Sequence, residues 1–239
     1  MTPTTLGNEF LQKTYVPAAM MVSLLSVWML VALFFYLNRY TKREYFTIWT
    51  AAWLFYALWL TLNLQTVRAT GSLTSLAISN KTGNHLEFAQ VLFILKQCCI
   101  AVSGVFLLWG SLRFLGIVVR QLLLGLFMAF LVVWTIVSPQ ALSENHLGVE
   151  LPVFLLIGLS SMFGGVCFFR LRKKMPFVGA GMLSMGFMLW GIYLSSYPFA
   201  EMYRDLTGAA FLSAAVLQLF IAVSMVVLVL EEARYNADR

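Results

Sequence analysis

Among the 239 residues of this chain, Lys96 is the one whose surroundings most demand chemistry, because it lies inside a long apolar run. An ionisable side chain within a membrane span costs at least about 2.5–3.5 kcal/mol unless it is paired, hydrated or drawn out to the interface. Eight residues separate it from Phe88, where the run begins, which at 1.5 Å per residue is about 12 Å and nearly mid-membrane. Gln97 beside it, Gln218 at a comparable depth in the last apolar run, and Trp190 and Tyr193 in the run before would line one polar cavity with it. Such a pocket suits an anion, a lipid headgroup or a small ligand. The competing reading has Lys96 extend its apolar stem outward to Glu87, Glu150 or headgroups.

Other reactive residue types form no catalytic pattern. His85 and His146 lie in different inter-span segments beside Glu87, and beside Glu144 and Glu150; imidazole and carboxylate are zinc ligands, but this spacing matches no metal motif. Cys98, Cys99 and Cys167 all fall inside apolar runs, where they act as small buried hydrophobes and offer no disulfide framework. Asn80-Lys81-Thr82 fits a glycosylation acceptor, a tripeptide that often arises by chance. There is no Ser-His-Asp arrangement on one scaffold, no pair of carboxylates within a span and no phosphate-cradling glycine loop. Nor does the last span hold a lysine, so the Schiff-base chemistry of microbial rhodopsins has no anchor. These absences point to a non-enzymatic protein with no cofactor and no metal.

The elements that position these residues follow from composition. Hydrophobic residues make up 61% of the chain and charged ones 11%, whereas soluble domains carry about 25% charged residues. Seven successive apolar stretches, 17–38, 45–65, 88–111, 117–138, 151–169, 177–197 and 207–230, each approach the roughly 20 residues needed to cross a bilayer as a helix. None alternates as a barrel strand would. The expected fold is therefore all-α, an integral membrane seven-helix bundle, with residues 1–16 as an outer tail, 17–230 as the seven-helix domain and 231–239 as the start of a cytoplasmic helix. No cleavable leader precedes the first span.

Lys and Arg collect on alternate connections: Arg39, Lys42, Arg43, Arg113, Arg120, Arg170, Arg172, Lys173, Lys174, Arg234 and Arg239 face Lys13, Arg68, Lys81 and Arg204. The positive-inside rule then puts the N-terminus outside and the C-terminus in the cytoplasm. The net charge of +6 reports this topology and an attraction to anionic headgroups. Nucleic acid is excluded as a partner because the basic residues are scattered over short turns and a tail. The first outer loop, TVRATGSLTSLAISNKTGNHLE, is long and polar and suits a cover for the outer mouth.

All six prolines lie in the tail or at span ends, so the helices should be unbroken, unlike the interrupted helices of many transporters. Small residues favour close helix packing. The sixth run offers Gly179, Ala180, Gly181, Ser184, Gly186 and Gly191, and the seventh Ala210, Ala214, Gln218 and Ala222 at steps of four, suited to the bundle interior or a dimer seam. The aromatic cluster Tyr45, Phe46, Trp49, Trp53, Tyr56 and Trp59 is expected to pack and to anchor at the interface.

Beyond the last span, Val226, Leu230, Ala233 and Ala237 recur at intervals of 4, 3 and 4, the seam of a two-stranded coiled coil. Glu231 with Arg234, and Arg234 with Asp238, support a solvated helix. The turn and aromatic helix RYTKREYFTIWTAAWLFYALWL, the segment LLWGSLRFLG and the exit VLEEARYNADR are similar to the multi-pass N-terminal sensor regions of bacterial histidine kinases and diguanylate cyclases, over about a fifth of the chain. The resemblance implies signal input at a bacterial inner membrane, homodimerisation through the exit helix and a kinase or cyclase output module in cis or in trans. It supplies no ligand residues. A small-solute transporter or channel, and a membrane scaffold subunit, are the alternative functions.

Overall fold

The computed structural model describes residues 3–42, 44–70, 85–117, 121–141, 146–174, 177–202 and 204–237. They form seven helices: α1 (Pro3–Thr41), α2 (Glu44–Thr70), α3 (His85–Phe114), α4 (Gln121–Ala141), α5 (His146–Lys174), α6 (Val178–Met202) and α7 (Arg204–Ala237). No strand occurs among the described residues. Six helices carry apolar stretches long enough to cross a membrane, and α4 carries a shorter one, Leu122–Ser138. All seven expected spans are helices. The first begins earlier than the sequence suggests, since the tail from Pro3 onward is helical and continuous with the span. Pro17 consequently lies inside α1, Pro152 inside α5 and Pro198 inside α6, each without ending its helix.

Packing contacts close six helices into a ring in the order α1, α2, α3, α5, α6, α7 and back to α1, with α4 outside against α3 and α5. The direction of each helix follows from its partners. Gln97, in the first half of α3, meets Glu150 near the start of α5, and Phe114 and Phe168 meet toward their ends, so these two helices run parallel. The chain between them must return across the same thickness. At 21 residues α4 is about 31 Å long, enough for a hydrocarbon core of about 30 Å. Seven helices in alternating sense result, six of them with apolar stretches of membrane-spanning length. Arg39, Lys42, Arg113, Arg170, Arg172 and Arg234 thereby gather at one end of the bundle, the end where α1, α3, α5 and α7 finish.

The axis of the ring is filled by rings. Phe46, Trp49, Trp53, Tyr56 and Trp59 of α2 are buried, so this cluster forms the interior and does not serve as an interfacial belt. Trp49 meets Phe114, Trp53 and Tyr56 meet Trp190, and Trp59 meets Phe154 and Tyr197, all at centroid separations of 5.3–6.1 Å, within the range for favourable aromatic pairs. The outward faces carry Leu25, Met29, Phe35, Leu122, Leu126 and similar exposed residues suited to lipid.

Small residues bring the remaining walls together. A Cβ on Gly158 would strike Ser195 and the Gly191 carbonyl, and one on Gly191 would strike the Gly158 carbonyl 2.6 Å away, so α5 and α6 approach backbone to backbone. Ser184 donates to the Gly165 carbonyl at 2.7 Å along the same contact. Gly179 and Gly186 abut α7 at Leu228 and Ile221. Ala214, Gln218 and Ala222 are buried as well, so both small-residue stripes serve the bundle. Gly191→Ala is therefore expected to cost about 1–3 kcal/mol through overpacking. Gly125→Ala, at an exposed position with nothing within 4 Å of the added carbon, is expected to be neutral or slightly stabilising through helix propensity. Thermal unfolding of the two variants in the same detergent checks the contrast.

Candidate functional site

The register of α2 against α3 decides which polar residues share a level. Tyr45 meets Phe114 at 5.0 Å, Phe55 meets Phe106 at 5.9 Å, and Gly110 abuts Trp49. In this antiparallel pair Tyr56 lies level with Ser103, and Lys96 with Asn63. Seven residues, about 10 Å, separate the two levels. Gln218 shares the Tyr56 level, since the Tyr56 hydroxyl faces both the Tyr193 hydroxyl and the Gln218 amide. Moreover, the backbone of α3 packs on neither α6 nor α7 among the described residues. The single cavity expected from Lys96, Gln97, Trp190, Tyr193 and Gln218 is thus two separate groups.

The first group sits between α3 and α5. The Gln97 amide donates to Glu150 Oε1 at 3.1 Å, while its own carbonyl oxygen is buried without a hydrogen-bond partner among the described residues. Lys96, only 4% exposed, has neither an ion pair nor a hydrogen bond among the described residues. The carboxylate near it is engaged by Gln97, not by Lys96. Snorkelling to Glu150 is therefore not what the structure contains, and the proposed contact with Glu87 lies outside the described side chains. So do the side chains of His85 and His146, which open α3 and α5, and the Asn80 tripeptide. Among the described residues no group of three metal-ligating side chains occurs.

The second group lies on the bundle axis near the middle of the membrane. Tyr56 is twelve residues from Glu44 and eleven from Val67, the ends of its apolar span, or roughly 17 Å from either. Trp190 stacks on Tyr193 at 5.2 Å and 25°, and Trp53 and Tyr56 close around Trp190. Gln218 Nε2 donates to Ser23 Oγ at 3.4 Å, a long bond. Tyr56 Oη faces the Tyr193 hydroxyl and the Gln218 amide, yet neither hydroxyl nor Gln218 Oε1 reaches hydrogen-bond geometry with a described residue. Tyr56 and Ser23 are the members that the sequence left unassigned. The signal for Tyr56 was present in the step of seven from Trp49 to Tyr56 to Asn63, which puts a polar tip on the face of α2 that carries the core.

The third functional element is α7, a continuous helix of 34 residues. Its buried side packs on α6: Leu228 against Gly179, Tyr235 edge-on to Phe177 at 5.7 Å, and Glu231 between them. The Glu231 carboxylate accepts the backbone N–H of Val178 at 3.0 Å and of Gly179 at 2.8 Å, capping the first turn of α6 and favoured there by the helix dipole. Val226, Leu230, Ala233 and Ala237 lie on the other side, with Leu230 64% exposed. This free face extends further than the four residues suggest. Ala209, Leu212, Val216, Leu219 and Val223 precede them at strictly alternating intervals of 3 and 4, all exposed or half-buried, a heptad seam running without a phase break.

No family model, no curated protein and no solved structure matches this chain. The geometry alone therefore carries the functional argument. For the first group, Lys96→Met keeps the stem and removes a buried amine that has no partner among the described residues, and is expected to raise thermal stability in detergent. Gln97→Leu withdraws the donor to Glu150 and is expected to lower stability by about 1–3 kcal/mol. A Lys96→Met chain that unfolds at a lower temperature than the native one would show that the ammonium is engaged by an anion.

Proposed function

We propose that the chain is a non-enzymatic membrane sensor or input module, seated in a bacterial inner membrane with its N-terminus outside, that passes a ligand, lipid or membrane-state signal through α7. The observation that carries this reading is the double character of α7. One side is locked into the bundle through Leu228, Glu231 and Tyr235, and the opposite side presents an unbroken heptad seam. At 34 residues the helix is about 51 Å long, well beyond a hydrocarbon core of about 30 Å. A tilt or rotation within the bundle would therefore reach the cytoplasm along a rigid element.

The gathering of basic residues at the end where α7 finishes supports a cytoplasmic exit. The seam Val226, Leu230, Ala233 and Ala237 suits a second copy of this chain, giving a parallel homodimer whose paired exit helices drive a kinase or cyclase module in cis or in trans. A permeation path fits less well, because aromatic side chains occupy the axis from Trp49 to Phe154.

Fusing the chain through Ala237 to a cyclase output domain tests the relay. Inserting seven residues after Ala237, one full heptad or two helical turns, is expected to preserve output. Inserting three or four is expected to change it at least fivefold, because the seam is rotated relative to the output. Equal output from all insertions would sink the mechanical reading.

A further inference from the structure

The buried polar group on the axis is more than unfinished packing. In hydrocarbon, each polar atom left without a partner is penalised, since neither water nor another protein group compensates it. Here three such atoms converge from three helices: Tyr56 Oη on α2, Tyr193 Oη on α6 and Gln218 Oε1 on α7. Trp53 Nε1, one turn from Tyr56, is a further buried donor without a partner. Tyr56 and Gln218 are essentially inaccessible and Tyr193 is 8% exposed. The set holds two hydroxyls, an indole N–H and an amide carbonyl, with no carboxylate or cation. Of its three donors one can turn to the Gln218 carbonyl, so a guest that completes the rest is uncharged and supplies hydrogen-bond acceptors.

The route to this group opens on lipid. A groove of about 480 Å³ lies between α6 and α7, walled by Leu189, Ile192 and Tyr193 on one side and Leu212, Val216 and Leu217 on the other. Its volume falls in the range of small-molecule sites. Leu189, Ile192 and Val216 are exposed on the lipid-facing surface. Tyr193 belongs to both features: its ring forms part of the groove, and its hydroxyl belongs to the axial group. A turn of the Tyr193 side chain would join them.

We infer that the groove between α6 and α7, together with Tyr56, Tyr193 and Gln218, is a binding site for a lipid-soluble, uncharged molecule carrying carbonyl groups on an apolar chain. The apolar portion lies along Leu212, Val216 and Leu217. The carbonyl oxygens accept from the Tyr56 and Tyr193 hydroxyls, and Trp190 supplies an aromatic face beside them. The inference goes beyond the relay: binding to the chain alone is required whether or not α7 transmits anything, so failure of one leaves the other standing.

The test uses the full chain in lipid nanodiscs with decyl-1,4-benzoquinone, a planar dicarbonyl on a ten-carbon chain, read by quenching of tryptophan fluorescence. Saturable quenching is expected, with a midpoint at least tenfold higher in Tyr193→Phe and in Gln218→Met. Excess decylbenzene, which has the chain without the carbonyls, is expected not to displace the quinone. Without probe, Tyr56→Phe and Tyr193→Phe are expected to unfold at higher temperature than the native chain, because each deletes an unsatisfied hydroxyl; this also shows that the variants fold. Quenching that rises linearly with probe, equal midpoints in all chains, or displacement by decylbenzene would overturn the site. Lower unfolding temperatures for both phenylalanine variants would overturn it too, because the hydroxyls would then be satisfied by resident water.

Discussion

Six helices closed into a ring leave an axial space too wide for aliphatic side chains to fill, and the rest of the structure depends on the aromatic side chains that fill it. The second helix supplies most of them at helical spacing: Trp49 meets α3, Trp53 and Tyr56 meet α6, and Trp59 meets α5 and α6. Their bulk lets α2 reach α5 and α6 through side chains alone, although its backbone packs only on α1 and α3. Association in lipid gains nothing from the hydrophobic effect and relies on dispersion and shape. Rings of 150–250 Å² each are therefore the economical way to hold opposite walls at a fixed separation.

That solution creates a polar problem at one level. Phenylalanine at position 56 would fill the same space without a hydroxyl, and methionine at 218 would span a similar volume without an amide. The chain instead places Tyr56, Tyr193 and Gln218 together between two aromatic layers, Trp53–Trp190 toward the basic end and Trp59–Tyr197–Phe154 toward the other. Elsewhere in the spans many buried hydroxyls return to their own helix, as Thr50 to Phe46, Ser111 to Leu107, Ser161 to Ile157 and Ser224 to Phe220, while Ser26 and Ser184 donate to carbonyls of the adjoining helix. Back-bonding to the fourth preceding carbonyl is the ordinary way to hide a hydroxyl in lipid. Tyrosine and glutamine reach too far for it, so their polar tips need a partner from outside their own helix.

Helices and their alternating direction were legible in the sequence because length and hydropathy are one-dimensional properties. Membership of a common site was not, because it needs azimuth and neighbour identity. Lys96 and Gln218 looked comparable when depth was counted from different span ends, yet they sit on helices whose backbones do not pack on each other among the described residues. The expected closeness of Trp190, Tyr193 and Gln218 held because α6 and α7 are adjacent in sequence and antiparallel, so one short connection constrains their register. The small-residue stripes were legible as packing surfaces, but the sequence left open whether they faced the bundle or a second copy. The backbone approach of Gly158 to Gly191 assigns α6 to the bundle, and burial of Ala214, Gln218 and Ala222 assigns α7.

The exit helix joins these threads. An a/d seam is usually the most buried side of a helix, but in α7 the opposite side is buried, with Ile221, Met225 and Leu228 fully enclosed. The helix therefore faces two ways at once: its inner side packs into the bundle, and its outer side is exposed or half-buried. Gln218, in the axial group, and Glu231, on the α6 cap, lie thirteen residues apart on this one helix, about 20 Å. Rotating α7 by even one residue, 100°, would withdraw the Glu231 carboxylate from both N–H groups. Charge-assisted hydrogen bonds contribute about 1.5–3 kcal/mol each when shielded, and less at this partly exposed position. That is the scale of coupling free energies between sites in allosteric proteins, about 1–3 kcal/mol. An occupant of the axial group needs to favour one setting of α7 by no more than this to shift which setting dominates. In the proposed relay, two contacts on a single continuous helix would couple the axial group to the α6 cap without a larger rearrangement.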